Sequence, residues 1–143
     1  MRPILKDKRG FTLIELLIVM VILGLLTALV GPRLFGHVAA SKTKAARAQI
    51  EMTGTALDIF RLDYGRYPTT EEGLAVLWTK PEGEKPAALW HGPYLKKKVD
   101  KDPWGNSYVY AAPGEHGEYD LSSLGADGKA GGSGDDADIN SWE

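Results

Sequence analysis

Apolar residues fill one unbroken segment near the start of the chain. From Phe11 to Gly31 almost every residue is apolar, and about 20 such residues in a helix are long enough to cross the ~30 Å hydrocarbon layer of a membrane. The only charge inside this segment is Glu15, and a carboxylate within a membrane span costs a few kcal/mol. The pattern predicts one membrane-spanning helix that contains a single unexplained carboxylate.

The pattern changes after Pro32, which follows Gly31 and favours a kink near the outer boundary of the span. Mostly apolar positions then recur at alternating steps of four and three, which is the spacing of one helix face. These positions are Ala46, Ile50, Thr53, Leu57, Phe60 and Tyr64. Gly65 suits a C-terminal cap. We therefore predict one long helix from about Thr12 to Tyr64, with its first half in lipid.

Shorter elements follow the long helix. Thr69 and Glu72 have the spacing of a capping box, which predicts a short helix that ends near Trp78. Residues 102–105 (Asp-Pro-Trp-Gly) suit a type I turn. Residues 107–111 and 119–123 have the composition of strands, and residues 113–117 form the hairpin loop between them. The predicted fold class is α+β, with the helix packed on a small antiparallel sheet.

Charge and composition narrow the possible functions of the 143-residue chain. The formal net charge of −2 does not indicate nucleic-acid binding, which usually needs a clustered basic face. The chain has no cysteine, so disulfides and thiolate metal sites do not arise. Its histidines lack metal-ligand spacing and no nucleophile or phosphate-binding motif occurs, so we expect no enzyme. Basic residues before Gly10 predict a cytoplasmic N-terminus and an exported remainder.

Glu15 has two interpretations that its position leaves equally open. The carboxylate could reach the headgroups, or it could need a positive partner in an assembled state. Residues 8–16 (Lys-Arg-Gly-Phe-Thr-Leu-Ile-Glu-Leu) resemble the type III signal peptide of the type IV pilin superfamily. The resemblance implies cleavage between Gly10 and Phe11 by a prepilin peptidase, which then methylates the new Phe11 amine. It also implies that Glu15 pairs with the Phe11 amine of an adjacent subunit, which favours the second interpretation.

Three later segments, 67–77, 92–95 and 102–110, resemble the major pseudopilins of type II secretion systems. The resemblance implies a homopolymeric periplasmic fibre that drives export of folded proteins across the outer membrane. The implied partners are minor pseudopilins, an inner-membrane assembly platform and an outer-membrane secretin. We expect a cytoplasmic leader at 1–10, a transmembrane and polymerisation helix at 11–35 and a periplasmic domain at 36–143. In this arrangement Phe11, Glu15 and Pro32 serve assembly.

Residues 124–140 are rich in glycine and aspartate. From composition alone a solvated polar tail is the preferred interpretation, although Trp142 can pin the terminus to the domain. The resemblance reverses that preference, because it implies a structural Ca²⁺ in this loop, and carboxylate and carbonyl oxygens suit that ion. Asp127 and Asp135 are then the foremost side-chain ligands. The remaining expected ligands are Asp136, Ser133 and the carbonyls of Leu124 and Lys129.

Two alternatives stay open at this point. A type IV pilus subunit is the nearest one within the same superfamily, although many such subunits close their C-terminal region with a disulfide that this chain cannot form. A membrane-tethered calcium-binding module that does not polymerise would account for the outer domain. That module would leave Gly10, Phe11 and Glu15 unexplained.

Overall fold

The structure is a computed structural model that describes residues 10–83 and 88–143, without the side chains of 33–35. The predicted leader at 1–10 therefore lies outside the described residues except for Gly10. The chain divides into two compact units, Met1–Val38 and Ala39–Glu143, and each is described by itself. The expected boundary at residues 35 and 36 stays a prediction.

The long helix α1 extends from Leu13 to Tyr64 and has 52 residues, as predicted. Pro32 lies inside it, and helical backbone continues on both sides. The side chains from Leu13 to Val30 are exposed. Within the described part of the chain, α1 is the one helix that is long and apolar enough to cross a membrane, judged by length and composition.

The outer unit, Ala39–Glu143, contains a three-stranded antiparallel sheet. Its strands are β1 (Val109–Ala111), β2 (Asp120–Ser123) and β3 (Ile139–Asn140), in the order β1-β2-β3. Tyr110 lies opposite Leu121, and Ser123 lies opposite Ile139. The first two strands form the predicted hairpin, whereas β3 was not predicted.

The predicted helix stripe forms the core of the outer unit. Ala46, Ile50, Thr53, Leu57 and Phe60 are buried, and the ring of Tyr64 stacks on that of Phe60 with centroids 4.1 Å apart. One cluster joins α1 to residues of the middle segment: Ala56, Leu57, Phe60, Val76, Leu77, Leu95 and Val99. A second cluster joins α1 to the sheet through Ala46, Ile50, Leu121 and Ile139. The predicted α+β arrangement is confirmed.

The short helix predicted after Thr69 is wrong in its extent. Both capping hydrogen bonds exist, because Thr69 N–H donates to the Glu72 carboxylate at 2.8 Å and Glu72 N–H donates to the Thr69 hydroxyl at 3.3 Å. The turn ends at Gly73, whose N–H donates to the Thr69 carbonyl and whose φ of 60° leaves the helical region. A separate 3₁₀ helix, Leu74–Leu77, follows.

Candidate functional site

The start of α1 carries the residues predicted to serve processing and assembly. Gly10, Phe11 and Glu15 are exposed. The Glu15 carboxylate accepts hydrogen bonds from the N–H of Thr12 at 2.7 Å and from its hydroxyl at 2.8 Å. The Thr12 hydroxyl accepts from Glu15 N–H at 3.3 Å, which completes a capping box. Sequence reasoning missed this cap, although Thr-x-x-Glu before an apolar run is its signature.

The capping box changes the expectation for Glu15. In the single chain its carboxylate already accepts two hydrogen bonds from Thr12 at the same helix end, but neither donor is a cation. Pairing with an amine of another subunit would exchange the Thr12 contact for a stronger, charge-assisted one. The predicted role of Glu15 in assembly is untested by this geometry and remains a prediction.

The loop between β2 and β3 contains the predicted calcium ligands. Pairing of Ser123 with Ile139 brings its two ends together. Inside it, Ala126 N–H donates to the Asp135 carbonyl at 2.8 Å, and Gly131 N–H donates to the Asp138 carboxylate at 2.8 Å. These contacts make the segment a closed loop, not a free tail. We call residues 124–138 the acidic loop.

The predicted ligands are distributed along this loop. Asp127 is exposed, and its carboxylate accepts from Lys129 N–H at 3.0 Å. Asp135 and Asp136 lie in a 3₁₀ helix, Gly134–Asp136, that Ser133 precedes. Across residues 10–83 and 88–143, no three or more His, Cys, Asp or Glu side chains form a group that could hold a metal. Carbonyl and hydroxyl oxygens would therefore have to complete any cation site here.

Asp138 is an acidic-loop residue that the predicted ligand set left out. One of its carboxylate oxygens binds Gly131 N–H, whereas the other, Oδ1, is buried and has no hydrogen-bond partner among the described residues. A buried acceptor without a partner costs about 1–3 kcal/mol. A cation with oxygen ligands would offset that cost, so the loop's donor set fits Ca²⁺. The available signal was the position of Asp138 directly before Ile139, which a strand buries.

A buried carboxylate supports the entry to the acidic loop. Asp102 is 5% exposed, and its Oδ1 accepts from the N–H groups of Trp104 and Asn106 at 3.0 and 2.8 Å. Its Oδ2 accepts from the Ser123 hydroxyl at 2.6 Å. The predicted turn is present, since Gly105 N–H donates to the Asp102 carbonyl at 3.0 Å. This network ties residues 102–106 to the last residue of β2.

The end of the chain is also held in place. The Trp142 ring stacks on the His116 ring with centroids 4.0 Å apart, and His116 Nδ1 lies 2.9 Å from the Asp120 carboxylate. Burial opposes ionisation of Asp120, but hydrogen bonds from the His116 ring and from the N–H groups of Glu115 and His116 lower its pKa. The expectation that Trp142 pins the terminus is confirmed.

Both parts of the chain match known families. Residues 33–142 match the family described as "Type II secretion system (T2SS), protein G". The chain belongs to this family. Residues 5–31 match the prokaryotic N-terminal methylation motif, which covers Gly10, Phe11 and Glu15. The resemblance to type II secretion pseudopilins is thereby confirmed.

Relatives with the protein G name match from end to end. The type II secretion system core protein G of Pseudomonas aeruginosa is 46% identical over 138 residues, covering 96% of this chain and 97% of the relative. That of Vibrio cholerae is 44% identical, covering 96% and 94%. The crystal structure of the major pseudopilin from the type 2 secretion system of enterohaemorrhagic Escherichia coli matches with a TM-score of 0.61 and 32% identity, covering 78% of this chain and 95% of that one.

Proposed function

We propose that this protein G family member is the major structural subunit of a type II secretion pseudopilus. It polymerises into a periplasmic helical fibre whose growth drives folded proteins across the outer membrane. The observation that carries the proposal is the match of both parts of the chain, the methylation motif at 5–31 and protein G at 33–142. The exposed apolar part of α1, from Leu13 to Val30, supports it, because such a surface needs lipid or other apolar helices around it.

We propose the following route to the fibre. The chain enters the inner membrane as a single-pass protein with its leader in the cytoplasm and its outer domain in the periplasm. A prepilin peptidase cuts between Gly10 and Phe11 and methylates Phe11. Glu15 then exchanges its Thr12 contact for the Phe11 amine of a neighbouring copy. Pro32 is the position at which α1 can change its helical conformation during assembly. Minor pseudopilins, an inner-membrane assembly platform and an outer-membrane secretin complete the machine.

We also propose a structural Ca²⁺ in the acidic loop. The side chains of Asp127, Asp135, Asp136 and Ser133 and the carbonyls of Leu124 and Lys129 would hold it, with Asp138 Oδ1 as a further ligand. The unpaired buried oxygen of Asp138 supports this proposal. The ion would offset repulsion among the loop carboxylates, and its binding energy would add to the stability of the fold.

The secretion role is tested in a strain from which the gene is deleted. We expect a secreted enzyme to accumulate in the periplasm and to return to the medium when the wild-type gene is restored. A Gly10→Val variant that resists cleavage should not restore export. Normal export combined with loss of surface fibres or of twitching would instead identify a type IV pilus subunit. Fractions of medium and periplasm are compared by activity of the secreted enzyme.

The calcium site is tested on a soluble form that begins near Gly36, by melting in calcium and in chelator. Saturation at about 100 times Kd adds roughly 2.7 kcal/mol, which for a domain of this size raises Tm by at least about 5 °C. Asp138→Asn keeps the acceptor for Gly131 N–H and removes the charge, so it should reduce the calcium-induced rise without lowering Tm in chelator. Identical wild-type curves in calcium and chelator would rule out the site.

A further inference from the structure

Gly125 is held at its carbonyl by the turn at 102–106 and at its N–H by Ser123, the last residue of β2. Its carbonyl accepts from the Asn106 side-chain amide at 2.8 Å, and its N–H lies 3.4 Å from the Ser123 hydroxyl oxygen. That hydroxyl in turn donates to the buried carboxylate of Asp102. Asn106 is itself fixed, because its own N–H donates to the other oxygen of Asp102 at 2.8 Å. The hydrogen bonds to Asp102 therefore hold the turn in a conformation in which the Asn106 amide contacts the acidic loop.

Gly125 is also the point where the two ends of the acidic loop meet. Its φ is 65°, and a Cβ placed on it would lie 2.8 Å from the carbonyl oxygens of both Asp135 and Asp136. The next residue, Ala126, donates its N–H to the Asp135 carbonyl. Gly128 packs against the Asn106 side chain, so a Cβ there would lie 3.3 Å from it. Movement of Gly125 would therefore disturb the backbone at both ends of the loop.

We infer that Asn106 is a positioning residue for the acidic loop, which sets its affinity for a divalent cation with oxygen ligands without touching that ion. The inference rests on the calcium site proposed above. Asn106 engages the Gly125 carbonyl and so fixes the backbone from which the carbonyl and carboxylate ligands project. With Asn106 in place, less of the loop has to be ordered when the ion binds, and this preorganisation tightens binding.

The test is calorimetric titration of the full chain in detergent with calcium. Asn106→Ala removes the donor, and Asn106→Leu keeps about the size of the side chain without a charge and cannot donate to a carbonyl. We expect each to raise the Kd for calcium about tenfold or more, the range found when a group that supports a metal ligand is removed. Tyr94→Phe is the matched control, because it removes a hydrogen bond of 2.6 Å to Asp63 that lies outside the loop and the turn.

The control separates positioning from a general loss of stability. Tyr94→Phe should lower Tm in chelator and leave Kd unchanged, whereas the Asn106 variants should change Kd. Asn106 variants that lower Tm in chelator but bind calcium like the wild type would overturn the inference while leaving the calcium site intact. A wild-type chain that gives no binding heat and no calcium-dependent shift in Tm would overturn the calcium site, and this inference with it.

Discussion

Two glutamates close the same kind of hydrogen-bonded box in different surroundings. Glu15 receives the N–H and the hydroxyl of Thr12 at the start of α1. Glu72 receives the N–H of Thr69 and also two hydrogen bonds from Arg66, at 2.7 and 2.9 Å. A fixed cation therefore already accompanies Glu72, whereas a neighbouring subunit would supply one to Glu15. The box at Glu72 stabilises the fold of one subunit. By our proposal, the glutamate of the box at Glu15 also takes part in the assembly of many subunits.

The first residue-scale prediction separates the two roles of Glu15. Thr12→Ala removes the hydroxyl contact at the helix start, whereas Glu15→Ala removes both that cap and the proposed pairing with the Phe11 amine. We expect fibre formation to fall strongly for Glu15→Ala and only slightly for Thr12→Ala, with cleavage after Gly10 retained in both. Sheared fibres are quantified by immunoblot, and cleavage by the mass of the chain. Equal yields from the two variants would contradict the pairing role.

The second residue-scale prediction concerns acid stability. The hydrogen bonds from Arg66 are the largest cause of a lowered pKa for Glu72, the Thr69 N–H adds to them and burial opposes them. Because the pKa is lower in the folded chain, the contribution of Glu72 is complete above its unfolded value of about 4.3. That contribution is lost as the pH falls through the folded value.

Glu72→Gln should therefore flatten the fall of Tm below about pH 5 and lower Tm at pH 7 by an amount equivalent to about 1 kcal/mol. Arg66→Gln is the companion variant, because it removes the charge that lowers the pKa. Melting curves from pH 3 to pH 7 measure both effects. An unchanged slope for both variants would show that the Arg66–Glu72 pair is not linked to folding.

Among the elements, those set by residues close together in sequence were predicted, and those that depend on contacts between distant residues were not. The bounds of α1 were predicted because the apolar run from Phe11 and the stripe from Ala46 to Tyr64 each extend over several turns. The strand β3 was not, because it has two residues and exists through its register with Ser122 and Ser123. The helix predicted after Thr69 stops early because the φ angle of Gly73 is positive. The contact of Asn106 with Gly125 joins positions 19 apart in sequence, and no local pattern marks such a contact.

The element-scale prediction concerns the packing of α1 at Gly54 against Tyr119, the residue directly before β2. A Cβ at Gly54 would lie 2.8 Å from the hydroxyl of Tyr119, whose ring is also packed against Tyr67 at 4.9 Å between centroids. Alanine is better than glycine in a helix by about 1 kcal/mol, but an overpacked contact costs about 1–3 kcal/mol. Gly54→Ala should therefore lower the free energy of unfolding.

Tyr119→Phe provides the control for this contact. In that background the hydroxyl is absent, so Gly54→Ala should raise the free energy of unfolding through its helix propensity. Urea denaturation of the four chains of this double-mutant cycle gives the coupling between the two positions. Additive effects would show that Gly54 does not limit how closely α1 approaches Tyr119.

At the scale of the whole molecule, the two units place different demands on α1. The described part of Met1–Val38 exposes apolar side chains along the helix. Lipid or other subunits must cover these side chains. Ala39–Glu143 contains both buried clusters, the sheet and the acidic loop. We therefore expect the outer unit to determine the stability of the fold, and the apolar part of α1 to mediate assembly of the subunits.

This division predicts that residues 39–143 fold without the anchor. The first core residue, Ala46, lies about two helical turns beyond the cut. Fraying of the new helix end should therefore cost little. A unit of about 100 residues should melt in one transition with an enthalpy of roughly 60–80 kcal/mol, measured by calorimetry.

Leu57→Ala, at a fully buried position, should lower the stability of this unit by about 2–5 kcal/mol. The same change should be found in the full chain in detergent, because both depend on the same core. A broad, non-cooperative transition in the truncated chain would mean that the anchor contributes to folding and that the two units are not independent.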